Sequence, residues 1–189
     1  AGAGGKTLAL AAMMNNTGRL YAMDVSEKRL ANIKPRIARA GVGNITPQRL
    51  DHERDLRLKK LWNKADRVLV DAPCSGLGTL RRNPDLKYRQ SNDSIDELVA
   101  LQTRILDSAA HLVKRGGYLV YATCSILAEE NQNQIQNFLA NHAEFSLVNC
   151  GDLLKSNKIE LDTGEFLQLN PATHHTDGFF AAVMQKSSS

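Results

Sequence analysis

The sequence predicts an α/β layered domain with a mostly parallel sheet flanked by helices. Short apolar runs, of which "ADRVLVDAP" with Val68, Leu69 and Val70 is the clearest, alternate with amphipathic stretches of helical period along the 189 residues. That alternation is the pattern of strand–helix–strand units. Residues with chemistry stand where the apolar runs end, at Asp24, Asp51, Asp71 and Cys124. In such sheets ligands gather at the carboxyl ends of the strands.

Residues 5–14 follow a glycine-rich turn and read as a helix. "GRLYAMD" is a mostly apolar run closed by an acid, as in a buried strand. "SEKRLANIKPRIARAG" has amphipathic helical period, opened by Ser26 with Glu27 in the first turn and closed near Gly41, and Pro35 is expected to kink or shift it. A short strand over 44–50 precedes a charged loop or helix, and "ADRVLVDAP" reads as a buried strand. After a loop over 72–92, "SIDELVALQTRILDSAAHLVKRGG" reads as one long helix with a serine cap and a glycine stop. Its Ile95, Leu98, Val99, Leu101, Ile105, Leu106 and Leu112 are expected in the core. "GYLVYATCS" is a further strand, "EENQNQIQNFLANHA" a helix, "FSLVNC" a strand and "GFFAAVMQK" the last strand. Trp62 and Cys150 read as packing residues. One domain accounts for residues 1–186, and "KSSS" leaves 187–189 as a disordered tail.

Composition narrows the function classes. No run approaches the roughly 18 apolar residues of a membrane span, and the first residues lack the pattern of a secretory signal. The three cysteines Cys74, Cys124 and Cys150 make an odd count without metal-binding spacing, which points to a reducing cytoplasm rather than a disulfide framework. His174 and His175 are adjacent, so on an extended segment they point to opposite sides, and with Asp177 they complete no zinc spacing. No metal is expected, and a monomer is the default. The net charge of +4 leans toward a polyanionic partner. One basic cluster, over 49–64, reads as a solvated helix face; another, Arg81, Arg82, Lys87 and Arg89, lies beside a motif.

The opening "AGAGGKT" leaves two readings open. Gly-Lys-Thr, with Asp71 ending "RVLVD", fits the phosphate loop and magnesium-binding Asp of a nucleotide triphosphatase. Asp24, nineteen residues past Gly5 at the end of the next strand, instead fits an acid that accepts hydrogen bonds from ribose hydroxyls. Gly2 and Gly4 match the first two positions of G-x-G-x-x-G, but Thr7 occupies the third.

The cysteines narrow the choice. "DAPCSGLG" follows one strand and "YATCS" ends another fifty residues later, so Cys74 and Cys124 are both expected just beyond the edge of the same sheet, on the side where a cofactor would bind. A single cysteine there is more often a small buried hydrophobe. With "AMDVS" and "TDGFFAAVMQK", these segments resemble the RNA 5-methylcytosine methyltransferase family, the Sun-type enzymes, and above all its bacterial 16S ribosomal RNA members. The resemblance runs in order from residue 1 to about 186.

That resemblance implies a Rossmann-like class I fold with an antiparallel last strand, S-adenosylmethionine as cofactor, and an RNA cytosine as methyl acceptor. It implies that the turn from Gly2 through Ala3, Gly4 and Gly5 to Lys6 lies along the methionine part of the cofactor, with Asp24 on the ribose and Asp51 near the adenine. The family usually has proline where Ala3 stands. Asp71 is implied beside the transferring methyl and the target base, and Lys6 to orient Asp71 or the base. Cys124 is implied as the nucleophile and Cys74 as the residue that helps release the adduct. Arg81 and Arg82 are expected to meet RNA phosphates, the alternative being pairing with nearby surface acids. Asp177, Gly178 and Phe179 are implied to line the target pocket, and at least one of Phe179 and Phe180 to be core. A first strand before the turn and an amino-terminal RNA-binding part are expected outside this chain. A silent RNA-binding assembly factor is the remaining alternative.

Overall fold

A computed structural model describes residues 1–188. The chain divides into two compact units, residues 1–57 and residues 58 onward.

In the first unit, helix α1 (Gly5–Met13) leads to strand β1 (Leu20–Asp24), helix α2 (Glu27–Ala40) and strand β2 (Ile45–Arg49). β1 and β2 pair in parallel, with Leu20 opposite Ile45 and Asp24 opposite Arg49. Ser26 caps α2 by accepting the Arg29 N–H, and Gly41 ends it in the left-handed conformation. The helix runs unbroken through Pro35, contrary to the expected kink or shift. Proline removes one N–H there, and the acceptor it deprives, Ala31, is on the exposed side, where water can take over. Ala11, Ala22, Leu30, Ile33 and Ile45 form the small core.

The second unit opens with a 3-10 turn at Leu56–Leu61 that spans the boundary, followed by strand β3 (Ala65–Asp71), short helix α3 (Leu86–Arg89) and long helix α4 (Asn92–Ala110). Strand β4 (Val113–Thr123), helix α5 (Gln132–Asn141), strand β5 (Phe145–Val148), helix α6 (Cys150–Ser156), strand β6 (Leu167–Leu169), helix α7 (Pro171–His174) and strand β7 (Phe179–Lys186) complete it. The strand order is β3-β4-β7-β5, with β6 also paired to β7. β3 and β4 are parallel, whereas β7 runs antiparallel to β4, β5 and β6, as expected of the last strand.

Several boundaries differ from the sequence reading. The cap of α4 is Ser91 rather than Ser94, the two serines forming a reciprocal capping box. The helix stops at Ala110 because the carbonyls of His111 and Leu112 accept N–H groups from Asn63, Lys64 and Ala65 at the start of β3. Gly116 and Gly117, read as a helix stop, instead lie in an irregularity of β4 where the β3 register shifts. β3 is less buried than its run of apolar residues suggested, since it edges its sheet; Val70 is 7% exposed but Leu69 39%. Leu106 and Leu112 are buried as expected, whereas the other apolar positions predicted on α4 are only partly covered. Helices α3, α6 and α7 and strand β6 are too short to show a period. Trp62 is 43% exposed, with its ring 5.1 Å from that of His111, whereas Cys150 is buried.

Leu106, Leu119, Ile135, Phe180 and Met184 anchor the core of this unit, each contributing about 2 kcal/mol by leaving water. Phe180 is therefore the core member of the phenylalanine pair, and Phe179 is half-buried. Ser187 is tied by backbone hydrogen bonds to Gly116 and Glu144, and Ser189 lies outside the described residues. Among the described residues no helix is long and apolar enough to cross a membrane.

Candidate active site

In the first unit the site is built largely from backbone. Gly2 and Gly4 have φ of +54° and +90°, and a Cβ on Gly4 would stand 3.0 Å from Ile33 Cγ1. Only glycine meets both demands cheaply. The turn has no proline at Ala3; Arg36 fixes it instead by donating from Nη1 to the Ala3 carbonyl at 2.8 Å. Gly5 and Lys6 then open α1, whose first N–H groups have no partners within the helix.

Asp24 ends β1 with its side chain 7% exposed. Its Oδ2 accepts the Gly2 N–H at 2.9 Å and its Oδ1 the Ser26 N–H at 2.8 Å. Burial works against its charge, but hydrogen bonds led by those from the Ser26 and Gly2 N–H groups outweigh burial and lower its pKa. Oδ2 also accepts from the Ala1 ammonium, which leaves Oδ1 able to take one more donor. A strand-end carboxylate beside a glycine turn that opens a helix fits a nucleoside cofactor. Asp51 lies just past β2 and is more open, its carboxylate receiving Arg57 Nη2 at 2.7 Å.

In the second unit, Asp71 ends β3 on an exposed position, three residues before Cys74. Cys124 follows the end of β4. Because β3 and β4 run parallel with Asp71 opposite Ala122, their exits bring the two sulfurs to 3.4 Å. Hydrogen bonding to Cys124, burial and the Cys124 charge all raise the Cys74 pKa well above the ordinary thiol value. Cys74 therefore keeps its proton beside the Cys124 sulfur.

The two turns are built alike, as Cys74-Ser75-Gly76-Leu77 and Cys124-Ser125-Ile126-Leu127. In each, the serine Oγ accepts the N–H two residues on, from Leu77 at 3.4 Å and from Leu127 at 3.1 Å. Both hydroxyls donate to one oxygen of Glu130, each at 2.5 Å. The other carboxylate oxygen accepts the Ser75 N–H at 2.8 Å and Gln102 Nε2 at 3.0 Å. Glu130 and Gln102 are fully buried. Asn131 braces the second turn by accepting from Thr123 Oγ1 at 2.6 Å and donating to the Ser125 carbonyl at 3.0 Å. Sequence reading passed over Glu130 as an ordinary helix residue; the doubled Cys-Ser-x-Leu was the signal that two turns share a partner.

A third loop closes on these two. Gly78 donates its N–H to the Cys124 carbonyl at 2.9 Å, and Gly178 donates to the Gly78 carbonyl at 2.7 Å. A Cβ on Gly78 would collide with the Gly178 carbonyl and stand 2.7 Å from the Cys124 carbonyl. Asp177, next in the loop, accepts Arg82 Nε at 2.7 Å, and the Arg82 side chain is 67% exposed. Arg81 is exposed. His174 Nδ1 accepts the Asn170 N–H at 3.1 Å. Among the described residues no group of three His, Cys, Asp or Glu side chains is placed to hold a metal.

Comparison with known proteins accords with this arrangement. The chain is 38% identical over 187 residues to a probable ribosomal RNA small subunit methyltransferase B of Synechocystis sp., covering 97% of this chain and 41% of that one. It is 35% identical over 184 residues to the ribosomal RNA small subunit methyltransferase F of Serratia proteamaculans, covering 97% and 38%. The chain thus spans about two fifths of the length of these relatives. Among solved structures, NSun6 from Pyrococcus horikoshii with SFG superposes with a TM-score of 0.83 at 28% identity, covering 100% of this chain and 47% of that one. A methyltransferase homolog protein from Pyrococcus horikoshii gives 0.77 at 34% identity, covering 96% and 58%. S-adenosylmethionine is the cofactor of these enzymes, and the fold is their Rossmann-like one. The model of the 16S rRNA methyltransferase RsmB/F family matches residues 1–185, and the chain belongs to that family.

Proposed function

We infer that this chain supplies the methyl-transferring part of a cytoplasmic RNA (cytosine-C5)-methyltransferase acting on 16S ribosomal RNA. The observation that carries the reading is the pair of cysteine sulfurs, delivered to 3.4 Å from the ends of two parallel strands. The glycine turn from Gly2 to Lys6 and the Asp24 carboxylate hold the cofactor, Asp24 through the ribose hydroxyls and Asp51 near the adenine. S-adenosylmethionine, when bound, supplies an electrophilic methyl group.

Carbon 5 of cytosine is too weak a nucleophile to take that methyl directly. Addition of the Cys124 thiolate to carbon 6 makes the ring an enamine whose carbon 5 can attack, dividing one hard step into two easier ones. Asp71, at the strand end three residues from Cys74, hydrogen-bonds the base and favours its protonation as sulfur adds. After transfer, a solvent water takes the carbon 5 proton and the proton gained by the ring on addition returns to Asp71, which restores the double bond and expels the Cys124 sulfur from carbon 6 as a thiolate. Cys74, its sulfur 3.4 Å from that of Cys124 and its pKa raised by that neighbour and by burial, donates a proton to the departing thiolate and so assists release. The reacting cytosine must be unstacked for sulfur to reach its ring. Arg81 carries charge for nearby phosphates, while Arg82 holds Asp177 in the loop that, with Gly178 and Phe179, lines the base pocket.

The test is methyl transfer from labelled S-adenosylmethionine to 16S ribosomal RNA, followed by nucleoside mass spectrometry. Label in 5-methylcytidine, lost in Cys124→Ala, is the expected result. Label on another atom, or none with cofactor bound, would refute the reading.

A further inference from the structure

We propose that Glu130 is a positioning residue that sets the spacing of Cys74 and Cys124 by clamping the turns that carry them. The proposal rests on the reading of those cysteines as nucleophile and release residue. Glu130 acts through the residue following each cysteine, taking both serine hydroxyls on one oxygen and the Ser75 N–H on the other.

The bonding pattern identifies the role. All four partners of the carboxylate are donors, which suits a group that only accepts. The two serines also lie 3.2 Å apart, so the turns meet at this oxygen and not merely near it. Gln102 Nε2 is shared between the carboxylate and the Pro73 carbonyl at 2.9 Å, which extends the clamp to the residue before Cys74. The clamp itself is fixed from behind, because the Tyr121 hydroxyl donates to the Glu130 carbonyl at 2.7 Å. Packing alone could be met by an apolar side chain. An apolar residue here would leave two buried hydroxyls and a buried N–H without this acceptor, and a buried donor left unpaired costs its full desolvation.

Neither amide nor methyl can replace this group. Glutamine would put an NH2 where one oxygen now accepts two donors, so one turn is released while the volume is kept. A reaction in which the thiolate must meet carbon 6 while carbon 5 meets the methyl loses rate steeply when a reacting group is misplaced by about an ångström.

The experiment uses the full chain and its Glu130→Gln and Ser125→Ala variants. Thermal unfolding establishes which variants are folded. Two readouts follow on those. Steady-state kinetics should show kcat reduced by about tenfold or more with KM for RNA little changed, a split that general loss of folded protein does not produce. The second readout needs no methyl transfer. Diamide takes up the two thiol hydrogens of Cys74 and Cys124 as a disulfide forms and is itself reduced to the hydrazine. The rate of that closure reports the spacing directly, and it should be about tenfold or more slower in both variants. Should Glu130→Gln fail to fold, Ser125→Ala removes a single hydroxyl and carries the same prediction. Equal closure rates in wild type and a folded variant would overturn the clamp while leaving the cysteine roles intact. Full turnover in Cys124→Ala would overturn the nucleophile reading, and the closure rates would still stand.

Discussion

The two units place their chemistry by different means. Residues 1–57 carry the site proposed for the cofactor, made mostly from main chain: two glycines at positive φ, the start of a helix, and one acid that accepts the Ser26 N–H two positions on and the Gly2 N–H of the glycine turn. Residues 58 onward carry the proposed cysteine site, held by buried side chains, Ser75 Oγ meeting Glu130 across 55 positions and Gln102 meeting it across 28. The core differs in the same sense, with five buried residues in the first cluster against a larger one that takes in β3, β4, β5 and β7 in the second. A site made by three converging loops is only as good as its closest approach.

The largest effect should therefore come from Gly78, where the three loops touch. Gly78→Ala drives a methyl into the Gly178 carbonyl and to 2.7 Å from that of Cys124, backbone atoms that cannot swing aside. Denaturant titration should show a loss of about 2–3 kcal/mol, together with slower closure of the cysteine pair. An unchanged midpoint would mean that the loops are not held in contact.

A smaller effect is expected at Asp24. Asp24→Asn weakens the charge-assisted bonds from Gly2 and Ser26 and should cost about 1–2 kcal/mol, and calorimetry should show weaker S-adenosylmethionine binding. The pH dependence follows from the direction of the shift. The folded pKa lies below the ordinary 3.8, so the stabilisation is complete above the unfolded value and is lost as pH falls through the folded one. The stability difference between wild type and variant should thus be constant near neutrality and shrink as pH drops below about 4. A difference that grew on acidification would contradict the bonding described for this carboxylate.

Local features were legible before the structure, and shared ones were not. The Ser26 cap and Gly41 stop of α2, the acid closing β1 and the cysteines at two strand ends each depend on neighbours in sequence. Glu130 could not be read that way, because its meaning lies in Ser75, on another loop 55 positions away, as well as in Ser125 five positions before it. The end of α4 was misplaced for a related reason: nothing in "AAHLVKRGG" announces that Asn63, Lys64 and Ala65 will take the carbonyls of His111 and Leu112. Arg82 shows the limit for charge patterns, since its partner Asp177 stands 95 positions away.

The central claim is that Cys124 forms the bond to the base and Cys74 helps to break it. The measurement is the covalent adduct that survives denaturation after incubation with S-adenosylmethionine and 16S ribosomal RNA, unmodified or carrying 5-fluorocytosine. Wild type should be trapped only by the fluorinated RNA, Cys74→Ala by both, and Cys124→Ala by neither. An adduct formed by Cys124→Ala, or its absence in wild type with the fluorinated base, would contradict the assignment.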